Sequence, residues 1–122
     1  MAQVTHVIKS VFRTVTTTGG NAETVLDLLG MKSAGIIRQV HVRASSGGGA
    51  NFEISIFDKV GEATNSEHII YTASGQSYAT DIAVTGYFDT QSSKTDADLH
   101  MTLTPASDGT FEVRIDVEIL MG

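Results

Sequence analysis

Histidines are the side chains of this sequence best suited to hold a metal ion or to move a proton near neutral pH. The four of them, His6, His41, His68 and His100, lie on separate segments, and none has a second histidine at the spacing of a zinc motif. The chain contains no cysteine, which excludes thiolate ligands, disulfides and a cysteine nucleophile. His41 and His100 fall among the polar residues of alternating segments, so we expect them to face solvent or a subunit interface. The sequence therefore predicts neither a metal site nor a bound cofactor.

Acidic residues suggest a calcium site at one place. Asp89, Asp96 and Asp98 bracket a polar loop rich in Ser and Thr, and carboxylates are ligands that calcium prefers. Their spacing differs from the alternating acidic positions of an EF-hand loop, so we interpret this segment as a solvated loop. The Asp and Glu residues on the predicted strands alternate outward like ordinary surface charges, and no catalytic carboxylate pair stands out.

Nucleophilic catalysis would need a positioned serine. Serine, histidine and aspartate are all present, but the G-x-S-x-G turn that exposes a serine nucleophile is absent. Residues Gly47 to Gly49 are unlike a phosphate-binding loop, because no lysine follows them and no helix is predicted behind them. We expect them to form the mobile tip of a loop. These observations favour a protein without enzymatic activity.

Length and charge narrow the function classes further. A chain of 122 residues fits one domain with a hydrophobic core of its own. The formal net charge is −6 and the 8 Lys and Arg residues are scattered, so no basic stripe is available to neutralise a phosphate backbone. The apolar runs are too short for a membrane-spanning helix, and the N-terminus lacks the apolar region of a signal peptide. We expect neither nucleic acid nor a membrane as a partner.

The stretch from residue 98 to residue 119 shows the clearest structural pattern. Apolar residues at 99, 101 and 103 alternate with polar ones, and Pro105 and the turn signal at residues 107–109 follow. From Phe111 to Ile119 apolar residues alternate with charged ones. The pattern predicts an antiparallel hairpin with one buried face and one charged face.

Further segments upstream also predict strands. Alternation is clear at residues 40–44 and 52–56, which are joined by the flexible polar loop SSGGGAN of residues 45–51. Residues 68–73 form another strand, an irregular strand is expected around Ile82 and Val84, and a short element begins at Tyr87.

Two segments near the N-terminus fit more than one interpretation. Residues 3–18 carry apolar side chains at both helical and strand spacing, and their content of Thr and Val favours extended structure. Residues 22–29 fit either a short helix capped by Asn21 and ended by Gly30, or a strand. We favour the strand.

About eight short strands separated by turn residues, with no long helix, are typical of an antiparallel β-sandwich or barrel. We predict one all-β domain over residues 1–122, a single antiparallel β-sandwich in which residues 1–18 form either an N-terminal arm or an edge strand. The alternating apolar residues are expected to share one core, namely Val40, Val42, Phe52, Ile54, Ile56, Leu99, Met101, Leu103, Val113, Ile115 and Val117.

Several apolar residues fall on faces that the alternation assigns to solvent. Phe57 and Ile70 would point away from the core, and Leu120 would do so at the end of the last strand. Together with the apolar N-terminal segment, they favour a subunit interface and a stable homo-oligomer, with addition of a strand to a neighbour as the mechanism. The candidate interface residues are Val4, Ile8, Phe12, Phe57, Ile70 and Leu120.

The order of several motifs resembles a known group of proteins. The segments FEISIFDK, HIIYTASG, YFDT and DLHMTLTPASDGTFEVRIDVEI, spread over residues 36–120, are similar to the small β-sandwich virion proteins of tailed bacteriophages, including head decoration or cement proteins. The resemblance implies a jelly-roll-like, non-enzymatic homo-oligomer, made in the host cytoplasm. It would clamp the major capsid protein or other virion proteins at the particle surface.

Two other functions compete with this interpretation. A carbohydrate-binding β-sandwich module would use exposed aromatic rings as a stacking platform, and the chain offers Tyr71, Tyr78 and Tyr87 but no tryptophan. A tail or receptor-binding component is the second alternative.

Overall fold

Strands are the regular elements of the residues that the structure describes, which are 5–26, 34–91 and 94–121. This computed structural model also places the side chains of residues 7–26, 34–91 and 94–119. None of the described residues forms a helix with the length and apolarity that a membrane crossing requires. The strands are β1 (Thr5–Thr16), β2 (Ala22–Leu26), β3 (Ala34–Gly47), β4 (Phe52–Phe57), β5 (Ile69–Gln76), β6 (Ile82–Asp89), β7 (Leu99–Pro105) and β8 (Gly109–Met121).

The strands form two sheets of four. Sheet A has the order β1-β8-β3-β6 and sheet B has the order β2-β7-β4-β5, and neighbouring strands are antiparallel throughout. The chain passes from one sheet to the other at each connection except that between β4 and β5. This is the topology of an eight-stranded jelly roll. The predicted all-β antiparallel sandwich is confirmed. The two strands predicted within residues 98–119 are present, but the prediction that they form a hairpin is wrong, because β7 and β8 lie in different sheets and do not pair with each other.

Alternating side chains from both sheets fill the space between them. All of the residues that were expected to share one core are buried, and Ile115 has 0% of its surface exposed. Strand β1 adds Val11 and Val15, and β6 adds Val84 and Phe88. A shift of the register by one residue would carry these side chains to the opposite face, so their burial specifies the pairing.

Three strands decide points that the sequence pattern left open. Residues 5–16 are extended and pair with β8 as an edge strand of sheet A. Residues 22–26 form a strand, as favoured, whereas residues 27–29 lie outside the described residues. Strand β6 is continuous from Ile82 to Asp89, so the expectation of an irregular strand followed by a separate element at Tyr87 is wrong.

The glycine-rich loop between β3 and β4 is held in place. The carbonyl of Gly48 accepts hydrogen bonds from the hydroxyl of Tyr78 at 2.9 Å and from the amide of Ser107 at 3.2 Å. Gly48 has a φ of +94°, and a Cβ on it would lie 2.9 Å from Cε1 of Phe111. A residue without a Cβ is therefore needed for the loop to fold onto these rings. The expectation that residues 47–49 form the mobile tip of a flexible loop is wrong for this reason.

The loops β4–β5 and β6–β7 are joined at the opposite end of the sandwich. The carbonyl of Asp58 accepts a hydrogen bond from the amide of Asp96 at 2.8 Å. The carboxylate of Asp96 in turn accepts one from the amide of Val60 at 2.7 Å. These bonds fix the two loops to each other over the end of sheet B.

Candidate interaction surface

The outer face of sheet A carries the most exposed large apolar side chains of the described residues. Ile8 and Phe12 on β1 have 70% and 66% of their surface exposed, and Tyr87 on β6 has 70% exposed. Successive side chains of a strand point to opposite faces of the sheet. Val11 and Phe88 point into the core, so their neighbours Phe12 and Tyr87 point to solvent. The same alternation that builds the core thus presents three large apolar groups to solvent.

The register of sheet A determines how far apart these side chains lie. Ile8 lies opposite Glu118 on the neighbouring strand β8. Ile36 separates Glu118 from Tyr87 in the same row. With a strand spacing of about 4.8 Å, Ile8 and Tyr87 are about 14 Å apart across the sheet, and Phe12 lies about 13 Å from Ile8 along β1. The three side chains mark the corners of one broad patch.

Charged side chains between these corners pair with one another. Nη2 of Arg114 donates a hydrogen bond to Oδ1 of Asp81 at 2.9 Å, and Nδ1 of His41 lies 2.9 Å from the same oxygen. Nε of Arg114 lies 3.4 Å from Oδ2 of Asp116, whose other oxygen accepts a hydrogen bond from Ser10 at 2.7 Å. Covering this face would therefore leave most of its charges paired. The direct pairs are Arg38–Glu118, Arg43–Glu112, Arg114–Asp81 and His41–Asp81.

Asp81 is the shared partner at the centre of this network. Its hydrogen bond with His41 and the nearby guanidinium of Arg114 hold the pKa of the Asp81 carboxyl below its ordinary value. Asp81 is exposed, so solvent screens these interactions and they add little to stability. Their structural effect is to keep the His41 and Arg114 side chains in one arrangement.

A depression of about 390 Å³ lies beside Phe12 on this face. An aromatic ring next to three guanidinium groups, those of Arg13, Arg43 and Arg114, is the composition in which the energetically dominant residues of protein interfaces are enriched. The depression has the size to receive a side chain that protrudes from a partner. Its lining includes Phe12, Thr14, His41, Arg43, Glu112 and Arg114.

Only part of the interface that was expected from sequence lies on this surface. Ile8 and Phe12 are on it and exposed. Ile70 is half-buried and packs against the core instead. Val4 and the side chain of Leu120 lie outside the described residues. Binding of a partner by any of these residues stays a prediction.

Phe57 is the candidate whose expected exposure the structure contradicts. It lies opposite His100 of β7, so its side chain shares the outer face of sheet B with that histidine, yet it is 0% exposed. His100 is 8% exposed, so the expectation of a solvent-facing histidine is wrong as well. The reason is the joined pair of loops, since Oδ2 of Asp96 lies 2.9 Å from Nε2 of His100. The alternation of side chains along a strand does not predict whether a loop covers the outer face of the sheet.

Each histidine whose side chain is described lies against one carboxylate. His41, expected to be exposed or at an interface, is half-buried against Asp81. No group of three or more His, Cys, Asp or Glu residues in the described ranges is placed to hold a metal ion. The other pairs are His68–Asp58 at 2.7 Å and His100–Asp96 at 2.9 Å.

The acidic residues that were considered for calcium have separate roles. Asp89 accepts a hydrogen bond from the amide of Gln91 at 2.9 Å, which closes the turn after β6. Asp96 joins the two loops, and Oδ1 of Asp98 is buried without a hydrogen-bond partner among the residues that the structure describes. A local turn and a loop contact account for the first two carboxylates.

The tyrosines do not form the stacking platform that a carbohydrate-binding module would use. Tyr78 is half-buried, with ring centroids 5.0 Å from Phe52 and 5.8 Å from Phe111. Burial raises the pKa of the Tyr78 hydroxyl and that of Tyr71. Tyr87 is the exposed member of the three, and it lies on the outer face of sheet A.

Sequence reasoning did not include Tyr87 among the candidate interface residues, and it missed the charge network. The sequence did contain a signal for Tyr87. Val84 and Phe88 are an even number of positions apart and so lie on one face of the strand, whereas Tyr87 lies on the opposite face. No comparable signal existed for the bond between Arg114 and Asp81, which are 33 positions apart. Folding alone brings that strand and that loop together.

The fold is similar to that of a chain from a solved bacterial appendage. A chain of the Bacillus endospore appendages, described as a novel family of disulfide-linked pili, aligns over 99% of this chain and 93% of its own length, with a TM-score of 0.52 and 14% identity. Chains of infectious bursal disease virus match as well, with TM-scores of 0.47 for the Gx strain and 0.43 for the Gt strain, at 11% and 10% identity. Those two alignments span 98% and 95% of this chain, respectively, and 32% of each viral chain.

No family model matches this sequence, and no curated protein matches it either. At 14% identity the likeness to the appendage chain concerns the fold alone. The chain is thus an eight-stranded jelly-roll domain, and its function has to be argued from its own surface.

Proposed function

We propose that this protein is a non-enzymatic structural subunit that associates with copies of itself and decorates or cements the surface of a phage head. The observation that carries the proposal is the outer face of sheet A. Three large apolar side chains lie at its corners, each at least 66% exposed, and most of the charges between them are paired with one another. Such a face is suited to binding another protein surface.

The dimensions of sheet A suit a stable protein contact. Twelve residues of β1 pair with β8, which corresponds to a length of about 40 Å, and four strands span about 19 Å from edge to edge. The resulting footprint of roughly 700 Å² is close to the 800 Å² or so that each partner buries in a standard interface.

Charge favours a second copy of this chain as the occupant. The molecule carries a formal net charge of −6, so two copies repel each other over most of their surfaces. On this face, three guanidinium groups are set against four carboxylates in direct pairs. Two copies can approach through this nearly neutral face with less repulsion than elsewhere.

Rigidity fits a structural role. The loops at one end are bonded to Tyr78 and to the connection between β7 and β8, and those at the other end are bonded to each other. A body of this kind holds its contact faces in constant relative positions. An oligomer could then bind many equivalent sites on a particle, where avidity raises the apparent affinity by about 10² to 10⁴ over a single site.

The test compares phage heads with and without the protein. Heads made in its absence are mixed with the purified chain, sedimented, and challenged by heat and by low salt. We expect the chain to sediment with the heads and to raise the fraction that survives. A chain that neither sediments with heads nor changes their survival would refute the cement function.

A surface variant separates assembly from head binding. Phe12→Ser removes an apolar corner of sheet A, and Thr72→Ser on the exposed side of β5 is the matched control. If oligomerisation supplies the avidity, Phe12→Ser should reduce co-sedimentation and Thr72→Ser should not. Equal retention of both variants on the heads would contradict the role of this face.

A further inference from the structure

The outer face of sheet B holds a second surface of different character. Thr102 and Thr104 of β7 point outward beside their neighbours on β4, where Ser55 lies opposite Thr102 and Glu53 lies opposite Thr104. On the other side, Glu23 of β2 also lies opposite Thr102. Cross-strand neighbours are about 5 Å apart, so hydroxyl and carboxylate groups form a continuous polar floor.

The β4–β5 loop makes a wall along this floor. The amide of Gly61 donates a hydrogen bond to Oε2 of Glu23 at 3.1 Å, and the hydroxyl of Ser55 donates one to the carbonyl of Ala63 at 3.4 Å. Together the floor and the wall enclose a groove of about 320 Å³, with Asn21 and Thr64 also in its lining. This volume lies in the lower part of the range of about 300 to 1,000 Å³ that is usual for ligand pockets.

The groove keeps hydrogen-bonding capacity for a ligand. The side chains of Glu53, Thr102 and Thr104 make no hydrogen bond to the described part of the chain. Carboxylates accept hydrogen bonds, whereas threonine hydroxyls and the amide of Asn21 both donate and accept. No Lys or Arg contributes to the described lining, so an anionic ligand would meet two carboxylates without a compensating charge.

We infer that this groove binds a neutral, hydroxyl-rich ligand, namely one or two rings of an uncharged glycan. Adjacent sugar hydroxyls donate to carboxylates and exchange hydrogen bonds with threonine hydroxyls, which matches the chemistry of the floor. The lining lacks an aromatic ring for stacking, so binding at one site is weak, in the millimolar range. Many copies on one particle would strengthen it through avidity. Binding at the groove is argued from sheet B alone, and only the gain from avidity rests on the proposed function.

The experiment follows backbone amide shifts by NMR during titration of the full chain with methyl glycosides of glucose, galactose, mannose and N-acetylglucosamine. We expect saturable shifts for at least one of them, centred on β4, β7 and the loop segment 61–64. Thr102→Val removes a hydroxyl at the centre of the floor while keeping the shape of the side chain. This variant should raise the Kd about five-fold.

Two comparisons make the result decisive. Thr85→Val changes an exposed threonine on the outer face of sheet A and should leave the Kd unchanged. N-acetylneuraminic acid and a trilysine peptide probe for an anionic and a cationic ligand, and both should fail to produce saturable shifts. Absence of saturation with every neutral glycoside, saturation by the peptide instead, or equal Kd values for Thr102→Val and the unmodified chain would each overturn the inference.

Discussion

The ring of Phe57 stacks on the ring of His100 across the β4–β7 ladder, with centroids 5.8 Å apart and an interplanar angle of 23°. Phe57 is fully buried yet lies outside the main core cluster. This small second cluster lies between sheet B and the two loops that Asp58 and Asp96 join. It anchors a long loop to the sheet at the end of the sandwich.

The first prediction concerns the contribution of this second cluster to the free energy of unfolding. Phe57→Ala should lower the free energy of unfolding by about 3 to 5 kcal/mol, because it removes a fully buried ring and leaves a cavity. Phe12→Ala, which removes an exposed ring, should change it by no more than about 0.5 kcal/mol. Urea denaturation at a protein concentration low enough to keep the chain monomeric would measure both. Similar losses for the two variants would show that the joined loops do not bury Phe57.

The second prediction tests the glycine-rich loop. Gly48 and Gly20 have φ values of +94° and +96°, but an added Cβ would meet Phe111 at 2.9 Å in the first case and open space in the second. Gly20→Ala should therefore cost about 1 to 2 kcal/mol from backbone strain. Gly48→Ala should cost a further 1 to 3 kcal/mol or so from overpacking. Thermal or urea unfolding would rank the two, and equal costs would argue against the packed position of this loop.

The third prediction is a pH dependence that Asp96 produces. The hydrogen bond from the Val60 amide, followed by His100, lowers the pKa of the Asp96 carboxyl below its ordinary value of 3.8. A carboxylate whose pKa is lower in the folded state stabilises that state above the unfolded pKa, and this contribution is lost as pH falls through the folded pKa. The free energy of unfolding should therefore drop below about pH 4.

The variant Asp96→Asn isolates that contribution. It should be less stable than the unmodified chain near neutral pH, and the difference should shrink as the pH falls below the ordinary value for aspartate. The control is Glu67→Gln, a change at an exposed carboxylate in the same loop region. It should leave the fall in the free energy of unfolding at acid pH unchanged. Parallel pH curves for Asp96→Asn and the unmodified chain would contradict the loop-joining role of Asp96.

The fourth prediction concerns the N-terminal strand. Deletion of residues 1–15 should destabilise the fold, because β1 supplies Val11 and Val15 to the core and covers one edge of β8. Circular dichroism and urea unfolding of the truncated chain would measure the loss. Unchanged stability would mean that the segment behaves as a detachable arm rather than as an integral edge strand.

The alternation of apolar and polar residues predicted much of the fold, because the strands of the core follow this pattern closely. Val113, Ile115 and Val117 of β8 are all buried, and the charged residues between them line the outer face. Strand β1 was harder, since Val7, Val11 and Val15 recur every four residues, which fits a helix as well as a strand. Pairing with β8 removes that ambiguity, and pairing is a property of the folded chain.

The candidate surface was predictable only in part, for a related reason. Ile8 and Phe12 became candidates because the N-terminal segment is apolar, and both are exposed. Strand alternation placed Phe57 on a face away from the core, but loops cover that face. The partners of Arg114 are Asp116 on β8 itself and Asp81 on a loop distant in sequence, so no local sequence pattern predicts these contacts. Sequence periodicity predicts the face on which a side chain lies, whereas exposure also depends on what folds over that face.

Sedimentation velocity of the unmodified chain and of the double variant Phe12→Ser/Tyr87→Ser tests the central claim, self-association through the outer face of sheet A, most directly. Loss of dominant interface side chains costs about 2 kcal/mol or more each, so the two losses together, about 4 kcal/mol, should raise the dissociation constant about 10³-fold. Thr72→Ser, on sheet B, should sediment like the unmodified chain. An unmodified chain that stays monomeric at all concentrations, or an oligomer that the double variant leaves intact, would contradict the account.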